Sequence, residues 1–280
     1  MVLSKKQKLI GFLVFSAVLA FLVGIVPQSI GFFGKGFDTR EILDQYFLYV
    51  SYSAISLLLI ASLFFIEKNI AQGDSKYGDG LAYYHAGELP SIRTNIFDNP
   101  YRLFLGSAVI FSILGLFAAY NQTAFTGVGS IEQQFTPAGQ LTFSSILIPI
   151  AENLGAAATI AFTIFLVRFG ARKYGWSKQN FQLIAITSAV LIAGLFGLVN
   201  HTLRYQTSDI ALGIVFLFWA FGGLISLITG SFIPFWIMHI ANNLFFELTK
   251  FFSNDSIVIY TIFVIILLIV LFGLTFIKKR

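Results

Sequence analysis

Long apolar runs separated by polar stretches follow one another along the whole chain. Eight runs lie at about 8–27, 46–66, 101–119, 141–168, 181–203, 208–229, 231–249 and 256–277. A transmembrane helix needs about 20 mostly apolar residues, and each run is roughly that long. The runs lack the strict alternation of membrane β-strands. The pattern therefore predicts an all-α, polytopic membrane protein with about eight transmembrane helices.

Two of the polar stretches are long enough to form loops of their own, residues 67–100 and residues 120–140. No internal repeat marks a domain boundary, so we expect residues 1–280 to form a single integral membrane domain. Within it, the helices of residues 1–119 are predicted to be peripheral. Residues 141–249 carry the polar groups discussed below, and residues 256–277 form the last helix.

Composition excludes most other classes of protein. The chain is 57% hydrophobic and only 11% charged, whereas soluble domains carry about 25% charged residues. Soluble, disordered, fibrous and nucleic-acid-binding proteins are therefore excluded. The chain has 0 Cys, which rules out disulfides, thiolate metal sites and cysteine nucleophiles.

The basic residues predict the orientation in the membrane. With the N-terminus in the cytoplasm, 14 of the 18 basic residues fall on the inner side, and the outer side holds only Lys35, Arg40, Arg204 and Lys250. Cytoplasmic loops of membrane proteins carry such an excess of Lys and Arg. We therefore expect a multi-pass protein of the cell membrane with lipid as its surroundings and with cytoplasmic N- and C-termini.

Glu152 is the acidic residue that stands out, because it lies within an apolar run. It precedes Asn153 and follows Pro149, which is expected to loosen the helix and free a carbonyl. Ionisable groups in the hydrocarbon core are costly and usually mark a site. Glu152 is therefore a candidate general base or ligand, and the alternative is a protonated carboxyl that is hydrogen-bonded between helices.

Two histidines also lie in predicted transmembrane helices. His239 is followed four residues later by Asn243, so that both side chains share one helix face. Helix rise places His239 at a depth similar to that of Glu152, and it places His201 about 10 Å or more nearer the outer surface. Each histidine could instead be a satisfied structural residue.

These residues resemble the motifs of the CPBP family of intramembrane proteases, which includes the type II CAAX endopeptidases. The family pattern is E-E-x-x-x-R, then F-x-x-x-H, then H-x-x-x-N/D. In this chain PIAEN matches the start of the first motif, LFGLVNH resembles the second and GSFIPFWIMHIANN matches the third. The chain differs at Asn153 (second Glu), Ala157 (Arg) and Gly197 (Phe).

The resemblance implies a hydrolase, an intramembrane endopeptidase that needs no cofactor or metal. Glu152 and His201 would activate water, and His239 and Asn243 would hold the oxyanion. The substrate would be a membrane-associated peptide. The charge bias opens the site outward or at mid-membrane, which disfavours a prenylated substrate in the cytoplasm.

Three alternatives remain at this point. The first is a catalytically inactive relative that acts as a membrane scaffold or as a subunit of a membrane complex with a membrane protein partner. The second is a zinc site formed by the His₂Glu set of Glu152, His201 and His239. The third is a haem-binding or transport protein that uses His201 and His239, and the difference in their depths disfavours haem held by both histidines.

Overall fold

The computed structural model describes residues 9, 11, 12, 14, 15, 42–70, 100–126, 143–201, 209–229, 231–248, 252 and 254–276. Over these residues the protein is all-helical, without a strand. The helices are α1 (Ile42–Ile70), α2 (Pro100–Thr126), α3 (Ile148–Tyr174), α4 (Lys178–His201), α5 (Asp209–Thr229), α6 (Ile233–Leu248) and α7 (Asn254–Leu274). A π-helical turn, Phe143–Leu147, leads into α3.

Four of the described helices are long and apolar enough to cross a membrane, which indicates a membrane protein. Their apolar spans are Tyr101–Tyr120, Ser145–Tyr174, Lys178–His201 and Ser256–Leu274. The apolar parts of α1 and α5 are shorter, and α6 has 16 residues, or about 24 Å of helix. Helices thus occupy seven of the eight predicted positions. The first predicted helix, residues 8–27, lies outside the described residues except at a few positions.

Several helices extend beyond the apolar runs that predicted them. Helix α2 continues to Thr126, and α3 continues to Tyr174. An apolar run in the sequence marks only the part of a helix that can lie in hydrocarbon. The backbone hydrogen bonds of the helix continue past this part until a residue ends the helix. At the end of α3 that residue is Gly175, whose left-handed φ of 63° turns the chain so that the N–H of Trp176 reaches Ala171 O at 3.0 Å. Ser177 Oγ then accepts the backbone N–H of Asn180 at 3.1 Å, which begins α4 after a tight turn.

Helix α3 lies at the centre of the described bundle. It packs against α1, α4 and α6, while α2 pairs with α6 and α4 pairs with α5. Small side chains of α3 and α4, among them Ala158, Ala161 and Ala193, form a core cluster with Leu59 and Leu63 of α1. Small residues at such interfaces allow close helix packing in membranes, where dispersion contacts replace the hydrophobic effect.

Glycines mark the closest helix approaches. A Cβ at Gly115 of α2 would overlap the backbone oxygen of Met238 in α6. A Cβ at Gly222 of α5 would overlap the ring of Phe235, also in α6. The positions of α2 and α5 relative to α6 therefore depend on the absence of a side chain at these two residues.

A contact at one end of the bundle connects the start of α2 with the end of α7. Arg102 Nη2 donates to the backbone oxygen of Thr275 at 3.0 Å. The same guanidinium lies 4.4 Å from the ring centroid of Phe276. The start of α2 and the end of α7 consequently lie at the same end of the bundle, as the predicted orientation requires.

We expect Gly115→Ala to destabilise the protein, because the new methyl group meets a backbone atom that cannot rotate away. Overpacking of this kind typically costs about 1–3 kcal/mol. Gly213→Ala is the matched control, since a Cβ at Gly213 meets nothing within 4 Å. Higher helix propensity should leave that variant as stable as the parent, or more stable by up to about 1 kcal/mol. SDS-titrated unfolding of purified protein measures both effects, and equal stability of the two variants would contradict the close approach of α2 and α6.

Candidate functional site

Glu152 of α3 and His239 of α6 meet in the interior of the bundle. The Nε2 atom of His239 lies 3.5 Å from Oε2 of Glu152. Glu152 is 3% exposed and His239 is 4% exposed. The structure thus brings together two of the four predicted site residues, and both are removed from lipid and from solvent.

Asn153 connects the two helices beside this pair. Its Nδ2 donates to the Pro149 carbonyl oxygen at 2.8 Å and also lies 2.8 Å from Nδ1 of His239. A carbonyl oxygen only accepts, so the amide nitrogen must be the atom that faces Pro149. The second hydrogen of that nitrogen then points to His239. The buried Oδ1 of Asn153 has no hydrogen-bond partner in the described structure.

These contacts fix the proton of the His239 ring. Since Asn153 donates to Nδ1, that nitrogen is the acceptor, and a neutral ring carries its hydrogen on Nε2. The Nε2–H therefore faces the carboxylate of Glu152. If both ring nitrogens were protonated, Nδ1–H and the Asn153 amide would be two donors facing each other, and they would repel. His239 is accordingly a hydrogen-bond donor in this arrangement.

His201 has the opposite tautomer. Its Nδ1 lies 2.8 Å from the carbonyl oxygen of Gly197 in the same helix. Because that oxygen only accepts, Nδ1 carries a hydrogen and Nε2 is the acceptor of the neutral ring. His201 is buried, at 7% exposure. Nε2 is therefore a donor in His239 and an acceptor in His201.

Trp219 of α5 contacts both histidines. Its ring centroid lies 5.2 Å from that of His239 and 6.2 Å from that of His201. Its side chain rests on Gly197, where a Cβ would overlap the indole. Phe235 stacks on His239 at 6.2 Å. This apolar surrounding strengthens the hydrogen bonds of the cluster and raises the cost of an unpaired polar group.

The two asparagines that follow His239 have different positions. Asn243 lies one helical turn beyond His239 on the same face of α6 and is half-buried. Asn242 is buried, and its Nδ2 donates to the Gly115 carbonyl of α2 at 3.4 Å. Asn242 thus stabilises the pairing of α2 with α6, and Asn243 is the amide that shares the His239 face.

A groove of about 640 Å³ lies between α2, α6 and α7. Its walls are mostly apolar and include Phe104, Trp236, Ile240 and Val264. None of the four predicted site residues lines it. Helix α6 thus presents one face to this groove and another face, with His239, to α3.

The arrangement of the described side chains does not support the zinc alternative. Among the residues that the structure describes, no three His, Asp or Glu side chains are grouped so that they could hold a metal ion. Glu152, His201 and His239 are all described, so the predicted His₂Glu set is not assembled.

Sequence reasoning did not identify Tyr52 of α1 or Trp219 of α5 as neighbours of these groups. Tyr52 lies close enough to Glu152 to interact with it electrostatically. Both are aromatic residues within apolar runs, where they do not stand out. The signal that could have found them is a glycine on a neighbouring helix, Gly155 for Tyr52 and Gly197 for Trp219.

Comparison of the chain with protein-family models, with curated proteins and with solved structures found no match. The resemblance to the CPBP family in its three short motifs therefore stays a prediction. The chemistry of the cluster itself is the basis for a functional proposal.

We expect ¹⁵N spectra of histidine-labelled protein to show His239 as the Nε2–H tautomer and His201 as the Nδ1–H tautomer. The chain has only 3 His, and a His201→Asn variant assigns the signals. Asn153→Asp replaces the donor to Nδ1 with an acceptor, so His239 should become the Nδ1–H tautomer or the doubly protonated ring. Asn242→Asp is the control. It makes the same substitution at an asparagine that contacts α2, and it should leave the His239 signals unchanged. An unchanged His239 tautomer in Asn153→Asp would disprove the proton assignment.

Proposed function

We propose that this protein is an intramembrane endopeptidase of the CPBP type in which Glu152 activates water. The observation that carries the proposal is the buried carboxylate of Glu152 lying 3.5 Å from Nε2 of His239, whose tautomer makes it a donor. A carboxylate base beside a fixed donor is the minimum that acid–base hydrolysis of a peptide bond requires. The substrate is a membrane-associated peptide.

In the proposed reaction Glu152 takes a proton from water while the water oxygen bonds to the peptide carbonyl carbon. Protonation of Glu152 removes its negative charge and releases the Nε2–H of His239. This N–H and the amide of Asn243 then donate to the resulting oxyanion, and each such donor is typically worth about 3 kcal/mol. The Glu152 carboxyl then gives its proton to the amide nitrogen, and the C–N bond breaks. The products are a carboxylic acid and an amine, and Glu152 returns to its ionised form.

The acceptor nitrogen of His201, Nε2, would serve as a second site that takes up a proton. With Nδ1 bonded to the Gly197 carbonyl, Nε2 can take a proton without breaking that bond. His201 would thereby exchange protons with Glu152 through water during turnover. This role agrees with the one that the family resemblance implies for His201.

We further propose that the protein is a multi-pass component of the cell membrane, with eight transmembrane helices and with cytoplasmic termini. The distribution of basic residues supports this orientation. The contact of Arg102 with Thr275 agrees with the start of α2 and the end of α7 lying on one side of the membrane, whichever side that is.

One observation favours a second function, that of an inactive membrane scaffold. Glu152 and His239 are almost fully buried, and an unpaired polar group in hydrocarbon costs several kcal/mol. A closed cluster of Glu152, Asn153 and His239 would by itself hold α3 against α6. The activity experiment below distinguishes the two functions.

The orientation can be measured with single cysteines, because the parent chain has none. Ser177, between α3 and α4, is exposed, and so is Phe252, between α6 and α7. We expect an impermeant maleimide to label Phe252→Cys in intact cells and to label Ser177→Cys only after permeabilisation. The reverse labelling would overturn the proposed orientation.

Activity can be tested by incubating the protein in lipid vesicles with synthetic apolar transmembrane peptides in ¹⁸O-water. Mass spectrometry should find fragments with ¹⁸O in a new carboxyl group. Glu152→Gln keeps the size of the side chain and removes the base, so cleavage should be lost, and His239→Ala should reduce kcat by about 10²–10³-fold. Glu247→Gln, which changes another buried glutamate, serves as the control and should retain activity.

Two results would reject the proposal. Loss of cleavage with a chelator would favour the metal-dependent alternative. Absence of cleavage by the parent protein, together with an unchanged cellular phenotype of Glu152→Gln, would favour the scaffold.

A further inference from the structure

Tyr52 brings α1 into contact with the polar cluster. The residue is buried, at 7% exposure, although it lies outside the segments that carry the predicted motifs. Its phenol lies on Gly155 of α3, where a Cβ would overlap both the hydroxyl oxygen and the ring. The hydroxyl therefore reaches the backbone surface of α3.

The position of Gly155 directs that hydroxyl toward Glu152. Gly155 follows Glu152 by three residues, so the two positions are neighbours on one face of α3. Tyr52 also lies close enough to Glu152 for the phenol and the carboxylate to interact electrostatically. The contact of Tyr52 with Gly155 and its interaction with Glu152 both place the hydroxyl on the face of α3 that carries Glu152.

We propose that Tyr52 is a positioning residue, whose hydroxyl donates a hydrogen bond to the Glu152 carboxylate and holds it toward His239. A buried carboxylate needs several donors, because it has about four acceptor sites and has lost its water. His239 supplies one donor from α6, and Tyr52 supplies another from α1. Glu152 is then held from two sides by helices that lie far apart in the sequence.

A phenol suits a carboxylate that gains and loses a proton. A hydroxyl can donate a hydrogen bond and can also accept one after rotating about its C–O bond. Tyr52 therefore pairs with Glu152 when the carboxyl group is ionised and also when it is protonated. An arginine or lysine at this place could only donate, and it would oppose protonation of Glu152.

The contact can be tested without any activity. Infrared spectra at acidic pH contain the C=O stretch of protonated Glu152, identified as the band that Glu152→Gln removes. Tyr52→Phe should move this band to higher frequency, because a hydrogen bond weakens the C=O bond. Gly155→Ala should produce the same shift by displacing the phenol, with the tyrosine still present. Tyr49→Phe, at the other buried tyrosine one turn earlier in α1, should leave the band unchanged.

The catalytic consequence rests on the proposed function and needs a kinetic readout. Misplacing a reacting group by about 1 Å can cost about 100-fold in rate. Tyr52→Phe should therefore lower kcat by about 10- to 100-fold and leave KM for the synthetic peptide unchanged, whereas Tyr49→Phe should alter neither.

The two measurements separate the possible failures. An infrared shift in a protein that cleaves no peptide supports the Tyr52 contact and rejects the peptidase. An unchanged band in both Tyr52→Phe and Gly155→Ala, in a protein that does cleave peptide, overturns the role of Tyr52 and keeps the proposed function. A fall in kcat without an infrared shift also overturns the positioning role.

Discussion

The hydrogen bond from Asn153 to His239 is the interaction on which the site depends. It joins α3 to α6, and it determines which nitrogen of His239 carries the proton. If the amide were reversed, its oxygen would face the Pro149 carbonyl, and two acceptors would repel each other. A single backbone oxygen near the start of α3 thereby determines the hydrogen-bonding direction of a ring on α6. The Nε2–H of that ring in turn faces Glu152, which the proposed reaction uses as its base.

Close helix packing allows these polar groups to meet at all. Tyr52 and Trp219 approach the backbone of a neighbouring helix at positions without a Cβ, Gly155 and Gly197 respectively. The same holds for Gly115, whose carbonyl accepts the amide of Asn242. Each glycine therefore has two effects, since it lets two backbones approach and lets one polar or aromatic side chain reach its partner. In hydrocarbon these effects reinforce each other, because close packing excludes water and raises the cost of an unpaired polar group.

Much of this arrangement follows from the sequence, and the remainder depends on three-dimensional packing. Apolar runs indicate where the helices lie, and an ionisable residue such as Glu152 or His239 is conspicuous within such a run. The run cannot show which residue of another helix will face it, so Tyr52 was not identified. In the motif comparison, Asn153 stands at the position of a second glutamate. In the structure its amide nitrogen lies 2.8 Å from Nδ1 of His239, a contact that the motif comparison does not predict. His201 was predicted from its place in a motif. The motif does not predict that its Nδ1 bonds to the Gly197 carbonyl of the same helix.

The length of α6 has a consequence for how water reaches this interior. As one of the membrane-spanning helices that we propose, α6 would place its 16 described residues, or about 24 Å of helix, across the roughly 30 Å of hydrocarbon in an ordinary bilayer. Such a mismatch is relieved by local thinning of the membrane, at a cost of fractions of a kcal/mol per Å. Thinning next to α6 would move the aqueous phase toward the depth of His239. The water that the proposed hydrolysis consumes would then have a shorter path to Glu152.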